Sequence, residues 1–257
     1  MYFKSNDITI YYEKHGNKQK EIVILPGWGD TRKTWYPLIE LLKEDFTVYI
    51  LDYPGFSKSP FPNKDLTIYD YTELIYEWLK ELNLKEPLLI GHSFGGRIII
   101  TLTGYYKYNF SDIILISSAG IKKKSTILPK IRNLSYKLSK KIANLLPKKI
   151  RNKYLNWLFS LYASDDYKNL SENMRQTFKN IISEDLTAYL KNISARCLLI
   201  WGNKDTSTPI YQGRIMHQKI YKSEFIELDN VGHFPYLEKL YLIYNIILKQ
   251  IQEKDSY

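Results

Sequence analysis

Cysteine is almost absent from this 257-residue chain, which contains a single thiol. That residue, Cys197, lies in the apolar run 195–201, which we interpret as a strand. One cysteine cannot form a disulfide within the chain, so folds stabilised by internal disulfides are excluded. We therefore expect a buried, unreactive thiol in a protein of the reducing cytoplasm.

Long hydrophobic runs and leader-like patterns are lacking as well. No apolar stretch approaches the ~20 residues needed to cross a bilayer. Residues 1–7 do not show the basic and then apolar order of a secretory signal. His, Cys and carboxylate residues do not cluster at metal-ligand spacings. We therefore expect no transmembrane segment, no secretion, no metal ion and no cofactor.

Acidic residues are missing from the segment 121–153, which is rich in bases. The basic residues there are Lys122, Lys123, Lys124, Lys130, Arg132, Lys137, Lys140, Lys141, Lys148, Lys149, Arg151 and Lys153. The favoured interpretation is a solvated helix face, because Lys, Ile, Asn and Tyr are abundant throughout the chain. Two alternatives are recruitment of an anionic substrate or acidic carrier protein, and contact with an anionic membrane surface. The formal net charge of +10 does not lead us to predict a nucleic-acid partner.

What the chain does contain is an alternation of apolar runs with segments of helical period. This pattern predicts an α/β protein in which helices cover a mostly parallel sheet. The predicted strands are residues 8–12, 21–25, 46–51, 87–90, 112–117, 197–201 and 224–228. The predicted helices around them are 34–43, 69–82 and 236–251.

The alternation stops between residues 121 and 192, where no strand candidate occurs. Helical patterns are found there at 131–146, 149–163 and 172–182. A helical segment inside a sheet protein is typical of an insertion that covers one edge of the sheet. We therefore predict a core of residues 1–120 and 193–257 with a helical cap at 121–192.

The residues Gly91-His92-Ser93-Phe94-Gly95 follow the apolar run 87–90 and match G-x-S-x-G. In this motif the serine lies on a sharp strand-to-helix turn that exposes its hydroxyl above the sheet edge. The flanking positions are glycines because a Cβ would collide with the neighbouring strand or helix. Ser93 is therefore the candidate nucleophile.

A serine hydroxyl needs a base to remove its proton, and the base needs an acceptor that holds its tautomer. His233 follows the last predicted strand, and Asp205 follows the strand before it. The order Ser93, Asp205, His233 is the order of the nucleophile-elbow architecture. For the oxyanion, the candidate donors are the backbone N–H groups of Trp28 and Phe94.

Together these motifs resemble the α/β-hydrolase superfamily, in particular small bacterial esterase-like members with a helical cap. Residues 51–59 resemble the D-x-P-G-x-G-x-S turn, with Ser57 in place of the second glycine. Residues 171–175 and 182–186 resemble the end of the cap. The loop that would supply the Trp28 donor, residues 25–30, is called the oxyanion loop. It departs from the family pattern H-G-x-x, because Pro26 replaces the histidine. The resemblance implies the α/β-hydrolase fold, with an eight-stranded, mostly parallel sheet flanked by helices.

The function implied is serine hydrolysis of a carboxylic ester or thioester through an acyl-enzyme. The general layout also resembles pimeloyl-carrier methyl ester esterases, which implies an acidic carrier protein as a possible partner at the basic segment. The alternatives are a C–C bond hydrolase or lyase with the same triad, an aminopeptidase, and a non-catalytic binding module. The basic segment argues against the aminopeptidase, and a complete triad argues against the binding module.

Other candidate residues have a structural and a functional interpretation. The aromatic residues Trp157, Phe159, Tyr162 and Phe178 either line an apolar acyl pocket or simply pack at helical spacing. Asp52 is expected to stabilise its turn, and His92 is expected to pack behind the nucleophile.

Overall fold

The computed structural model describes residues 1–122, 147, 150–155 and 170–254. Eight strands of this part form one sheet with the order β1-β2-β4-β3-β5-β6-β7-β8. Their bounds are Tyr2–Ser5, Ile8–His15, Glu21–Leu25, Thr47–Asp52, Leu88–His92, Asp112–Ile116, Arg196–Gly202 and Ser223–Leu228. Strand β2 runs antiparallel to both of its neighbours, and every other pair is parallel. The predicted α/β class and mostly parallel sheet are confirmed.

The central strands are buried along nearly their whole length because helices cover both faces of the sheet. Strands buried on both faces have continuous apolar sequences, which is why these runs could be recognised. The carboxyl ends of the parallel strands meet at one edge, and that edge receives the loops that carry the candidate site.

Strand β1 was not predicted. It is a four-residue edge strand that alternates between exposed and half-buried side chains. It reaches β2 through a two-residue turn in which Asn6 and Asp7 have φ values of 46° and 61°. Positive φ at both positions is the geometry of a tight hairpin, for which Asn and Asp are suited.

The helices with defined bounds lie between and after the strands. The α-helices are Arg32–Leu42 (α1), Ile68–Glu81 (α2), Phe94–Ile100 (α3), Arg175–Ser183, Tyr211–Lys219, Pro235–Glu238 and Leu240–Lys254. A π-helix at Thr101–Tyr105 continues α3, and a 3₁₀ turn lies at Leu190–Asn192. Thr67 caps α2 in a reciprocal capping box with Asp70. Two apolar clusters result, and they lie on opposite faces of the sheet, one around Trp78 and one around Trp35.

The closing helix differs from its prediction. The sequence pattern indicates one helix at 236–251, but the structure has two, Pro235–Glu238 and Leu240–Lys254. At the break, the Glu238 carboxylate accepts hydrogen bonds from the N–H groups of Gly232 and Phe234. The first turn is therefore tied back to the loop that precedes it.

The predicted cap lies partly outside the described residues. Its first helix, 131–146, is not described, and only 150–155 of the second is described, as helix. The third corresponds to the 3₁₀ turn Glu172–Met174 and the helix Arg175–Ser183. No strand occurs in the described part of 121–192. The division into core and cap stays a prediction. No described helix is long and apolar enough to span a bilayer.

Candidate active site

The nucleophile candidate lies on a sharp turn between β5 and α3. Ser93 has φ 48° and ψ −105°, in the left-handed half of backbone space that a residue with a Cβ rarely adopts. Ser93 N–H donates to the Ile116 carbonyl, and Ser93 O accepts from Ala119 N–H. A Cβ at Gly95 would lie 1.9 Å from the Leu25 carbonyl oxygen. The glycine therefore allows the start of α3 to approach β3, as the motif predicts.

The base and acid candidates form a direct pair. His233 Nδ1 lies 2.9 Å from Asp205 Oδ2, and the Asp205 side chain is fully buried. The backbone N–H groups of Ser207 and Thr208 both donate to Asp205 Oδ1. Because a carboxylate can only accept, His233 carries its proton on Nδ1 and presents the lone pair of Nε2.

Burial opposes ionisation of Asp205, yet its pKa is held below the ordinary value. The hydrogen bond and charge of His233 outweigh the burial, and the hydrogen bonds from Thr208 add to them. The carboxylate is therefore charged at neutral pH. It can stabilise the imidazolium that forms when His233 accepts a proton.

Ser93 and His233 are connected through His92. His92 Nε2 lies 2.8 Å from the carbonyl oxygen of His233, and the two imidazole rings are 4.7 Å apart. Within the described residues, no hydrogen bond joins Ser93 Oγ to His233. In ligand-free sites this bond is often long and tightens only when substrate is bound.

Two backbone donors lie beside Ser93. The loop after β3 brings Gly27 so close that a Cβ there would be 3.5 Å from the Ser93 Cβ. The next residue is Trp28, one predicted oxyanion donor, and Phe94 at the start of α3 is the other. Neither N–H donates a hydrogen bond to any residue in the described part of the chain. Both N–H groups can therefore donate hydrogen bonds to a substrate oxygen.

An aromatic cluster surrounds the predicted oxyanion loop. The Trp28 ring lies 5.0 Å from Phe56, 5.2 Å from Phe94 and 5.4 Å from Phe178. Phe178 was predicted as a substrate-binding residue, and it lies in this cluster. The other three candidates, Trp157, Phe159 and Tyr162, lie outside the described residues.

With the site geometry established, comparison with known proteins gives the family. A family model described as the alpha/beta hydrolase fold matches residues 20–240. The chain belongs to the alpha/beta hydrolase family. Its likeness to known members extends over nearly the whole chain.

Among curated relatives, a pimeloyl-(acyl-carrier protein) methyl ester esterase from Wigglesworthia glossinidia brevipalpis is 28% identical over 251 residues. The match covers 90% of this chain and 93% of the relative. An esterase from Exiguobacterium antarcticum has a TM-score of 0.74 at 22% identity and covers 98% of each chain. An enol-lactonase from Burkholderia xenovorans LB400 has a TM-score of 0.75 at 19% identity, covering 98% of this chain and 100% of that one.

In this alpha/beta hydrolase, a buried ion pair holds the turn after β4. Arg32, on α1, pairs with Asp52, and its guanidinium lies 4.6 Å from the ring centre of Tyr11. Asp52 Oδ2 also accepts a hydrogen bond from the N–H of Lys58. The backbone carbonyl of Asp52 accepts one from the Ser59 hydroxyl. Asp52 therefore stabilises its turn, as its sequence context indicates. Arg32 was missed, because nothing local in the sequence relates it to a residue twenty positions away.

Phe56 was also missed, although it belongs to this turn and contacts Trp28. The signal that could have found it is its position, directly after the carboxyl end of β4. In an open α/β sheet the loops at that edge surround the ligand.

A buried arginine attaches the helix Arg175–Ser183 to α3 of this hydrolase. Arg97 of α3 is 6% exposed, and its Nη2 donates to the carbonyls of Ile181 and Glu184. Burial lowers the pKa of Arg97 to about 10, so it stays charged at neutral pH. Tyr69 OH adds a hydrogen bond to the Glu184 carboxylate. The helix Arg175–Ser183, which carries Phe178, is therefore tied to α3 through Arg97.

The two other histidines of the chain lie away from this site. His15 pairs with Glu13 at the end of β2, and exposed His217 contacts Ser223.

A cavity of about 360 Å³ lies at the opposite edge of the sheet, bordered by Glu21, Asp112 and others. It contains no candidate nucleophile or base. The described residues include no group of three or more His, Cys, Asp or Glu placed to hold a metal ion.

Proposed function

We propose that this hydrolase cleaves a carboxylic ester or thioester through an acyl-enzyme on Ser93. The observation that carries the proposal is the Asp205–His233 hydrogen bond of 2.9 Å at the edge where Ser93 adopts its strained turn. A buried carboxylate that orients an imidazole near a serine hydroxyl is the arrangement that activates a serine. The names of the relatives, a methyl ester esterase and an esterase, agree with ester chemistry.

The reaction proceeds in two halves. Ser93 Oγ attacks the substrate carbonyl carbon while His233 Nε2 takes its proton, and the oxyanion accepts hydrogen bonds from the N–H groups of Trp28 and Phe94. The intermediate collapses, and His233 gives the proton to the departing alcohol or thiol. In the second half, His233 takes a proton from water as the water attacks the acyl group. Release of the carboxylic acid returns the proton to Ser93.

The acyl group proposed is apolar. Trp28, Phe56, Phe94 and Phe178 together form an aromatic wall beside the oxyanion loop. Burying a hydrocarbon chain against such a wall gains about 25 cal/mol per Å² of apolar surface. This term increases with acyl chain length, so longer acyl esters are expected to have lower KM values.

An acidic carrier is the proposed source of the acyl group. The segment 121–153 has twelve basic residues and no acid, and a curated relative acts on a carrier-bound methyl ester by its name. Of these bases, Lys122, Arg151 and Lys153 are described; Lys122 and Lys153 are exposed, and Arg151 is half-buried. Attraction between unlike surfaces weakens with salt. Hydrolysis of a carrier-bound ester is therefore expected to fall between 0.05 and 0.5 M salt, whereas hydrolysis of a neutral aryl ester is not.

The test of the central proposal is labelling with a fluorophosphonate probe together with a panel of aryl esters and acyl thioesters graded by chain length. Wild type is expected to label, and Ser93→Ala is not. Failure of the folded wild type to label would support a binding module and overturn the proposal. Labelling without hydrolysis of any ester or thioester would instead support C–C bond cleavage by the same residues.

A further inference from the structure

His92, the residue before the candidate nucleophile, touches the loop of the candidate base. Its side chain is 1% exposed, and Nε2 lies 2.8 Å from the carbonyl oxygen of His233. A carbonyl oxygen only accepts hydrogen bonds, so the proton of His92 is on Nε2. The bond holds the backbone of His233, while Asp205 holds its ring. The two contacts are made by different groups and act on different parts of the same residue.

The surroundings of His92 keep it neutral. Its ring centre lies 5.2 Å from Phe234, 5.1 Å from Tyr236 and 6.3 Å from Trp35. Burial lowers the pKa of His92 to about 3, and the nearby His233 contributes in the same direction. A neutral imidazole with one N–H is a fixed donor, so the hydrogen bond persists through the neutral pH range.

A second connection joins the loop of His233 to the oxyanion loop. Asp30 ends the oxyanion loop, and its Oδ2 accepts Tyr236 OH at 2.7 Å and Trp35 Nε1 at 3.2 Å. The rings of Trp35 and Tyr236 stack at 3.8 Å with 12° between their planes. Asp30 Oδ1 accepts the N–H of Thr31, so both carboxylate oxygens are bonded. Tyr236 lies three residues after His233, on the short helix that follows the base loop, which we define as residues 230–234.

The two connections meet at His92. Its Nδ1 lies 4.0 Å from Asp30 Oδ2, too far for a hydrogen bond. A Cβ at Gly27 would lie 2.9 Å from the same nitrogen. His92 is therefore packed between the oxyanion loop and the base loop while it remains covalently joined to Ser93.

We propose that His92 and the Asp30–Tyr236 pair are positioning residues that hold the base loop and the oxyanion loop in one fixed arrangement around Ser93. The inference rests on the proposed function, because it treats His233 as the base. Fixed placement matters because an error of about 1 Å in a reacting group costs about 10²-fold in rate. The roles of Asp205 and His92 differ: Asp205 orients the imidazole, and His92 fixes the peptide from which the imidazole extends.

The test compares His92→Phe, which keeps a flat ring but removes the donor, with His92→Gln, whose amide N–H reaches the position of Nε2. His92→Phe is expected to lower kcat for an aryl ester about 10- to 100-fold with KM within about twofold. His92→Gln is expected to recover kcat to within about threefold of wild type. Equal losses of kcat in His92→Phe and His92→Gln would mean that His92 acts only by packing, and would overturn the proposal.

Tyr236→Phe provides a milder variant that removes one hydroxyl from Asp30. It is expected to lower kcat about tenfold, and its effect is expected to be less than multiplicative with that of His92→Phe. Tyr241→Phe is the matched control, since Tyr241 is 70% exposed on the next helix. If the losses of kcat in Tyr236→Phe and His92→Phe multiply fully in the double variant, the two contacts act independently. That result would contradict one fixed arrangement of the two loops.

A readout that does not need turnover separates this inference from the proposed function. Amide hydrogen exchange of residues 230–236 is expected to quicken about tenfold or more in His92→Phe and to stay unchanged in Ser93→Ala. If wild type proves inactive but exchange changes in this way, the proposed function fails, whereas the hold of His92 on the loop of His233 stands. If exchange in the base loop is the same in His92→Phe and wild type, the positioning role fails.

Discussion

Thr208 and Asp205 are joined twice in this structure. The N–H of Thr208 donates to Asp205 Oδ1 at 2.9 Å, and its hydroxyl oxygen lies 2.8 Å from Oδ2. The same hydroxyl lies 2.9 Å from the Ser117 carbonyl, and its one proton serves one of the two acceptors at a time. Thr208 thus links the carboxylate to the strand end beside Ser93.

The first prediction concerns that hydroxyl. Thr208→Val keeps the shape but removes the donor, so we expect unfolding free energy to fall by about 1.5–3 kcal/mol, typical of a hydrogen bond to a charged group. Loss of the donor also favours protonation of Asp205, so the pKa of that carboxyl should rise. Thr208→Ser should restore both quantities. Denaturant unfolding and an NMR titration of the Asp205 carboxyl in the two variants check this, and identical behaviour of Val and Ser would refute it.

The second prediction concerns Asp205→Asn. An amide in this position donates to His233 Nδ1 and forces the wrong imidazole tautomer, so we expect kcat to fall about 10⁴-fold, as in other serine triads. The fold should remain, because the side-chain volume is unchanged. Ester turnover and circular dichroism measure the two effects. Turnover near the wild-type value would mean that a different residue orients the base.

The third prediction follows from the depressed pKa of His92, which lies near 3 in the folded chain. The unfolded chain binds a proton at this residue below about pH 6.5, and the folded chain does not. Stability should therefore be unaffected by His92 above pH 6.5 and decrease below it, by up to about 1.4 kcal/mol per pH unit.

Urea unfolding of wild type and His92→Gln between pH 7.5 and 5 isolates this contribution. All other titrating groups are common to the two proteins and cancel in the difference. The free-energy difference between them should change below pH 6.5 in favour of the variant. Parallel stability curves across the whole range would show that His92 titrates normally.

The fourth prediction concerns the aromatic wall. Phe178→Ala should raise KM for long-chain aryl esters by about tenfold and leave acetate esters nearly unchanged, because only a long acyl group reaches the lost surface. Ile182→Ala is the matched control, since Ile182 is on the same helix but 52% exposed. A uniform change for all chain lengths in Phe178→Ala would place Phe178 outside the acyl site.

The parts of the fold that the sequence predicts well are those determined by local chemistry. Residues 21–25 are read as a strand with the bounds that the structure has, because a strand buried on both faces is apolar throughout. The turn at Ser93 is predictable since glycine spacing alone specifies its backbone. Strand β1 is not, because an edge strand with half-buried residues carries almost no hydrophobic signal.

The candidate site divides in the same way. Asp205 and His233 follow strand ends and could be named from the sequence. The hydrogen bond from His92 to the His233 carbonyl could not, since it joins residues 141 positions apart through a backbone atom that any residue would supply. Arg32 and Tyr236 were missed for the same reason. Their partners are defined only after the sheet has formed.

The reactivity of the single thiol, Cys197, reports how often the sheet opens. Cys197 is 1% exposed in β7, between β6 and β8, and burial raises its pKa well above the ordinary value. Thiol reagents react with the thiolate, so alkylation requires the middle of the sheet to separate. The rate of Cys197 alkylation, followed by mass spectrometry, would therefore measure the frequency of sheet opening without any added label.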